Sequence, residues 1–398
     1  MTIDKQLAEI TEADLNGLIT SLVKEGKDIE FKRELNWSTP EAKRKFLRGV
    51  ASFANTQGGH IIFGMEAKDG VAQSLHALAD FNEDSDTIRL RDFIRAHIEP
   101  KVYGVEFRAV SLSGGGHALV LWIPRGWAGP HMVTLDNDNR FYCRQGNGTA
   151  LMDVGEVRTA FAVAESLPEK VRRLRLDRLS AIASGDMPRP LSNPEALVLH
   201  FIPVKSLDPL YECDLESFAA LARTRREYLI TTFEDGGQSA IEFDFDSVIK
   251  AYASNERCFG YTRFFRTGVL EIVDSLRLEV LSTEGNAFFA NGYEQLLFDS
   301  FPKWLETLRV ARLEPPVLVA LSFIGMAGRF PYLDGWKYKG SARPHPIRHD
   351  PLLIRPKLID SLNATTGEAM IPIFNQVWQS CGRSKSVNFD ASGNWVGE

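Results

Sequence analysis

Residues 25–32 read Glu-Gly-Lys-Asp-Ile-Glu-Phe-Lys, and residues 51–64 read Ala-Ser-Phe-Ala-Asn-Thr-Gln-Gly-Gly-His-Ile-Ile-Phe-Gly. The first stretch alternates with the period of a strand, so Asp28, Glu30 and Lys32 share one face while Ile29 and Phe31 share the other. Glu25 stands at its entry. The second stretch runs from an apolar helix through Asn55-Thr56 to a glycine pair, then into a buried strand that closes on Gly64. The glycines supply positive φ and close backbone approach, and Asn55 suits a helix end. Glu66 and Asp69 follow that strand. Carboxylates gathered beside such a sheet suit a hard divalent cation, which polarises a phosphate and activates water. Read alone, the first stretch is better taken as a solvated strand face, since exposed charge on half-buried strands is common.

Working outward, Pro40–Asn55 has helical spacing, with Phe46, Val50, Phe53 and Ala54 on one side. His60–Met65 reads as a buried strand, Asp86–His97 as a helix, and Val102–Leu112 and Ala118–Pro124 as strands. Ser113-Gly114-Gly115-Gly116 between them is a hairpin turn, because no helix and no Gly-Lys-Ser/Thr follows it. Met132–Leu135 and Arg140–Arg144 pair as a hairpin across residues 136–139. The pattern is that of an α+β domain with a mixed or antiparallel sheet. A helix is expected over Val154–Ala183, broken or restarted at Pro168.

Three prolines and Gly185 interrupt residues 185–195, which divides the chain into 1–184, a linker, and 196–398. The second part is again α+β, of unrecognised type. Strands are expected at Ala196–Val204 and Ser239–Phe245, and as a pair at Val269–Asp274 and Leu276–Ser282. Gly292–Val310 is a helix, Val317–Ala327 a buried helix or strand, and Arg329–Arg355 an ordered loop rich in Pro, Gly and aromatics.

The formal net charge of −6 disfavours a protein that coats nucleic acid through bulk charge, so any such contact needs a local basic surface. Two basic runs qualify. Lys43, Arg44, Lys45 and Arg48 crowd the first helix, and Lys170, Arg172, Arg173, Arg175 and Arg178 crowd the helix before the linker. Each is also readable as a solvated helix face. Arg144 follows a strand and precedes Gly146, where its guanidinium meets either a phosphate or a carboxylate. The four cysteines are widely spaced and read as reduced, buried thiols. His345 and His349 are flanked by Pro344 and Pro346, which rules out a helical zinc pair. The apolar runs are too short to span a membrane and the N-terminus has no signal core, so a cytoplasmic protein is expected.

The order Glu25-x4-Glu30-Phe31-Lys32, then Phe53-Ala54-Asn55-Thr56-x-Gly58-Gly59 with a strand to Gly64, resembles the Schlafen AlbA-type domain. A third element is similar as well: Pro130, then Tyr142-x-Arg144-x-Gly146-Asn147 and Thr149. Together these cover residues 25–149. The resemblance implies a compact α+β nucleic-acid-handling fold. It also implies, in the nuclease-type members, that Glu25 and Glu30 with a third acidic residue bind metal and cut structured RNA, notably tRNA. Those nucleases commonly read Gly-Val-Asp-Asp where this chain reads Gly64-Met65-Glu66-Ala67-Lys68-Asp69, which puts Ala67 at the second aspartate and leaves Glu66 or Asp69 to fill the role. Asn147 replaces the family's serine.

The function so implied is a Mg²⁺- or Mn²⁺-dependent endoribonuclease acting on tRNA or similar RNA in bacterial antiphage or stress defence. Glu25, Glu30 and Glu66 would be its metal ligands, with Asp69 as a substitute and Lys32 positioning the phosphate. The alternatives are a non-catalytic DNA- or RNA-binding transcriptional regulator and a nucleotide (ATP)-binding regulatory protein. The region after residue 195 is expected to sense or regulate, and the resemblance also allows a homo-oligomer.

Overall fold

The computed structural model describes residues 5, 7–187, 190–229, 240–254, 257–278, 280–281, 286–332 and 344–397. It divides into two units, Met1–Pro168 and Glu169–Glu398.

In the first unit, α1 (Glu12–Thr20) starts from a capping box of Thr11 and Asp14. Then come β1 (Ile29–Lys32) and α2 (Pro40–Ala54), which starts with Thr39 Oγ1 accepting from the Ala42 amide and with proline at its first position. β2 (Gly59–Phe63), β3 (Met65–Lys68) and β4 (Val71–Leu75) precede α3 (Glu83–His97), which Asn82 caps. β5 (Ile98–Glu99), β6 (Glu106–Ser111), β7 (His117–Ile123), β8 (Met132–Val133), β9 (Arg140–Gln145) and β10 (Gly148–Leu151) lead to α4 (Val154–Ser184).

One sheet has the order β1-β2-β7-β6, with β1 parallel to β2 and the other pairs antiparallel. A second, β10-β9-β8-β5, is antiparallel, and β3-β4 is a hairpin. α2 and α3 bury Leu47, Val50, Phe53, Leu90 and Ile94 with Ile61, Leu119 and Leu121 of the first sheet. On the opposite side Leu15 and Leu18 of α1 pack with Ile29, Phe31, Ile62 and Val120. Each fully buried Leu, Ile or Phe contributes about 1.5–3 kcal/mol, so α1 and α2 hold the sheet from both faces. This is the α+β arrangement with a mixed sheet that the alternating pattern indicates.

α4 runs through Pro168 without a break. A proline forfeits its own N–H bond, but the remaining ladder carries the helix past it. The division between the units falls at Pro168 within this helix, not in residues 185–195.

The second unit follows with β11 (Ala196–Pro203), α5 (Leu215–Thr224), β12 (Glu242–Asp244), β13 (Ser247–Ser254), β14 (Arg257–Phe265), β15 (Leu270–Asp274), β16 (Val280–Leu281) and β17 (Ala287–Phe288). α6 (Ala290–Val310), β18 (Val317–Ile324), β19 (Phe330–Pro331), β20 (Leu352–Leu353), β21 (Lys357–Ile359) and α7 (Thr366–Ser380) complete it. An antiparallel sheet runs β12-β13-β14-β15-β11-β18-β20, with β21 also on β18. Of Val317–Ala327, expected as helix or strand, Val317–Ile324 is a strand and the last three residues leave it in a turn.

The pair expected at Val269–Asp274 and Leu276–Ser282 does not form. Asp274 Oδ1 accepts from the amides of Leu276 and Arg277, which turns the chain, and β15 pairs with β14 and β11 instead. Val280–Leu281 pairs with β17. Residues 239, 279, 282 and 333–343 of the expected strands and loop lie outside the described residues. One face of the large sheet carries a core with α5, α6 and α7. The other is covered by Leu179 and Ile182 of α4, packed on Val198, Tyr261 and Val273. All four cysteines are buried and unbridged. Among the described residues no helix is long and apolar enough to cross a membrane.

Candidate nucleic-acid interface

β1 is an edge strand, and the segment before it folds back along that edge. Glu25 Oε1 accepts from the Phe31 amide at 2.9 Å, and the Gly26 amide donates to the Ile29 carbonyl. Residues 23–25 also pair with the β3–β4 hairpin: the Ala72 amide donates to Val23, and the Glu25 amide to Gly70. Glu25 therefore caps a strand edge and braces a hairpin tip.

Glu30 does not lie on a solvated face. It is 9% exposed, because its neighbour in the sheet is Ile61, on the α2 side. Arg144 Nη1 donates to its Oε2 at 2.5 Å, and Lys32 Nζ lies 2.5 Å from its Oε1. The Arg144 side chain is 1% exposed. Its Nη2 donates to the carbonyls of Gly26 at 2.8 Å and Asn147 at 3.0 Å, and its guanidinium sits 4.5 Å from the centre of the Phe53 ring. One arginine thus joins β9 to β1, to the turn before it and to α2. The rigid planar fork of the guanidinium suits such a junction.

The Asn-Thr-x-Gly-Gly segment anchors the same junction. The Asn55 side chain donates to the His131 and Tyr142 carbonyls and accepts from the His131 amide. Thr56 Oγ1 accepts from the Arg144 amide. Gly59, at φ 150°, has no room for a side chain: a Cβ there would lie 2.3 Å from the Asp28 carbonyl oxygen. The motif is therefore a connector between distant segments, and it sets the parallel pairing of β1 with β2.

Glu66 and Asp69 part company on the β3–β4 hairpin. Asp69 and Gly70 form its two-residue turn, with φ of 52° and 77°, and Asp69 is exposed. A Cβ on Gly70 would stand 3.5 Å from Glu25 Oε2 and 3.7 Å from Asn147 Nδ2, so this turn abuts Glu25 and Asn147. Glu66, opposite Ser74, faces another set of partners: Arg33 Nη1 at 3.0 Å, His76 Nε2 at 2.9 Å and Ser74 Oγ at 3.3 Å. The His76 hydrogen bond, followed by the charge of Arg33, holds its carboxyl below the usual range. His76 was not legible as a partner, because only the hairpin register brings it to Glu66.

These placements bear on a divalent ion. Both oxygens of Glu30 are engaged by cations, Glu66 is bound to Arg33 and His76, and Glu25 has one oxygen on a backbone amide. Among the described residues no group of three His, Cys, Asp or Glu is placed to hold a metal ion. As arranged, Glu25, Glu30 and Glu66 do not fit a resident Mg²⁺ or Mn²⁺, which takes several oxygen ligands in a tight shell.

The basic runs separate into exposed and structural residues. On α2, Arg44 pairs with Glu41 and Asp136, while Arg48 pairs with Glu41 and Asp138 and lies over the Tyr142 ring. Lys45 is exposed and Lys43 half-buried. On α4, Arg172 and Arg173 are exposed, with side-chain pairs to Glu169 and Asp177. Arg175 is interior: it donates to the carbonyls of Ile354 and Leu321 and to Ser322 Oγ. Arg178 forms a bidentate pair with buried Glu271, which His200 and Tyr261 also bind. Arg175, read from the sequence as part of a basic run, is therefore interior, and of the two partners expected for Arg144, a phosphate or a carboxylate, it has the carboxylate of Glu30.

Residues 25–153 match the family model Schlafen, AlbA_2. The matched segment contains the junction residues just described, from Glu25 to Asn147. Among solved structures, the chain is similar to the DIP2311 protein from Corynebacterium diphtheriae, at 21% identity over 37% of this chain and 27% of that one, with a TM-score of 0.26. It is also similar to the N-terminal domain of a protein described as ATP-dependent DNA helicase RecG-related, from Nitrosomonas europaea. That match has 16% identity over 37% of this chain and 90% of that domain, with a TM-score of 0.25. The chain thus spans about a quarter of the length of the Corynebacterium protein. No curated protein matches it.

Proposed function

We propose that the AlbA_2 segment binds RNA or DNA as a non-catalytic regulator, using half-buried Lys43 and exposed Lys45, while Glu30 serves in a structural ion pair and Glu25 caps the strand edge. The observation that carries this reading is the enclosure of Glu30 between Arg144 and Lys32. A carboxylate so held is neutralised before any metal arrives. Releasing it would strand the Arg144 charge in the interior, at a cost of about 3–5 kcal/mol. Metal-dependent cleavage of tRNA would require that release, and Ala67 removes one of the acidic positions that would favour it.

Binding through a few local cations on an acidic protein has a definite signature. Affinity should fall with salt, but with a shallow slope, and each lysine removed should lower that slope by about one. A mobility-shift series with tRNA, plasmid and single-stranded DNA tests this. Retention should be the same in chelator as in Mn²⁺, and weaker in Lys43→Ala and Lys45→Ala. No retention of any nucleic acid would sink the reading.

A further inference from the structure

A pocket of about 540 Å³ lies in the first unit, and neither Glu30 nor Arg144 lines it. Three segments form it: Arg33–Leu35 after β1, His76–Phe81 after β4, and the first turns of α3. Its volume is within the roughly 300–1,000 Å³ of small-molecule sites. Leu35, Leu78 and Phe81, with Ala77 and Ala79, supply an apolar wall, and the remaining lining side chains are polar or charged.

The charges are arranged unevenly. Arg89 is paired with Asp86 at 3.0 Å and stands over the Trp37 ring, and Arg33 is paired with Glu66. Each guanidinium keeps further N–H donors free of those pairs, since it carries five. Glu34 and Asp80 form no salt bridge among the described residues, and both are exposed. A free phosphate would be repelled by two uncompensated carboxylates. The lining thus offers acceptors, on Glu34 and Asp80, and donors, on Arg33 and Arg89, to a flat ligand that carries both adjacent donors and adjacent acceptors. Guanine has that distribution: N1–H and the 2-amino group together on one edge, O6 and N7 on another. Adenine lacks the paired donors, because N1 is an acceptor there.

We propose that this pocket receives a guanine base, with Glu34 and Asp80 accepting from its N1–H and 2-amino group, Arg33 or Arg89 donating to O6 and N7, and Phe81 supplying an apolar wall. The inference rests on the nucleic-acid reading for its source: the base belongs to a single-stranded segment of the bound strand, unpaired and turned outward as in other single-strand readers.

The test uses the full chain, with guanosine, inosine and adenosine monophosphates and with single-stranded RNA oligomers carrying guanine or inosine at one position. Inosine lacks only the 2-amino group. The guanine ligands should bind at least about tenfold more tightly than their inosine counterparts, and Glu34→Gln and Asp80→Asn should abolish that preference. Asn retains the left-handed backbone at residue 80 (φ 52°), so an unchanged melting temperature confirms that the variant is folded. Equal affinity for guanine and inosine, unaltered in both variants, overturns the pocket while leaving general nucleic-acid binding intact. Guanine-specific binding of the monophosphate with no oligomer retained would overturn the strand source and the nucleic-acid reading, and make the pocket a free-nucleotide site.

Discussion

Glu30 and Arg144 lie 114 residues apart in the chain and meet in the interior of the first unit. Strand periodicity places Glu30 beside Lys32, and that contact is present, but no local pattern indicates that a distant arginine covers the remaining oxygen. A residue type suited to metal ligation is here an ion-pair partner because α2 and β9 close over it. Removing one member of a buried pair leaves the other charge uncompensated. Glu30→Gln should therefore destabilise the protein by about 3–5 kcal/mol. By the usual scaling for a domain of this size, the transition of the first unit should drop by roughly 6–20 °C. A carboxylate held among other carboxylates for a metal would behave in the opposite way: its neutralisation in chelator would relieve repulsion and raise the melting temperature.

In the first unit β1 and α2 were legible from the period of their apolar residues, although β1 is covered on both faces and Glu30 is buried with it. The second unit defeats that logic. β18 is covered on both sides, so its sequence is a mostly apolar run that a helix shares, whereas β11, equally buried, was still read as a strand. β12 to β15 carry Asp244, Arg263 and Glu271 within the sheet, where a buried ion-pair network interrupts any simple alternation. The basic stretch of α4 misled for a related reason: spacing shows which residues share a helix face, not whether a sheet covers it. Arg175→Ala should cost about 3 kcal/mol or more, since three buried acceptors lose a charged donor. It should leave the salt dependence of nucleic-acid binding unchanged. Alanine at Arg172 or Arg173 should leave stability within about 0.5 kcal/mol. Thermal melting and salt-titrated binding of the three variants separate these roles.

At the scale of the whole molecule, two buried glutamates in the second unit give stability a pH profile with two limbs. Glu271 is drawn down to about 2: its burial opposes the charge, but the hydrogen bonds from His200 and Arg178 outweigh it. Its contribution is present above the unfolded carboxylate value near 4.5 and is lost as pH falls toward 2. Burial pushes Glu294 up to about 7, against the donors Ser386, Asn388 and Trp378 that tie the C-terminal segment to α6 and α7. A raised value has the reverse sign: its contribution is full below pH 4.5 and declines through pH 7. Melting of the second unit should therefore be highest near pH 4.5–5 and fall toward pH 8, by up to about 3 kcal/mol, and Glu294→Gln should flatten the upper limb. A melting curve that rises from pH 5 to pH 8, with no change in the variant, would reject this assignment.

With Glu30 locked between Arg144 and Lys32, the proposed nucleic-acid binding by this segment proceeds without cleavage. Incubating the protein with tRNA in Mn²⁺, with Glu30→Gln alongside, tests it most directly. The RNA should be retained and remain intact in every lane. Discrete Mn²⁺-dependent fragments that disappear in Glu30→Gln would contradict it.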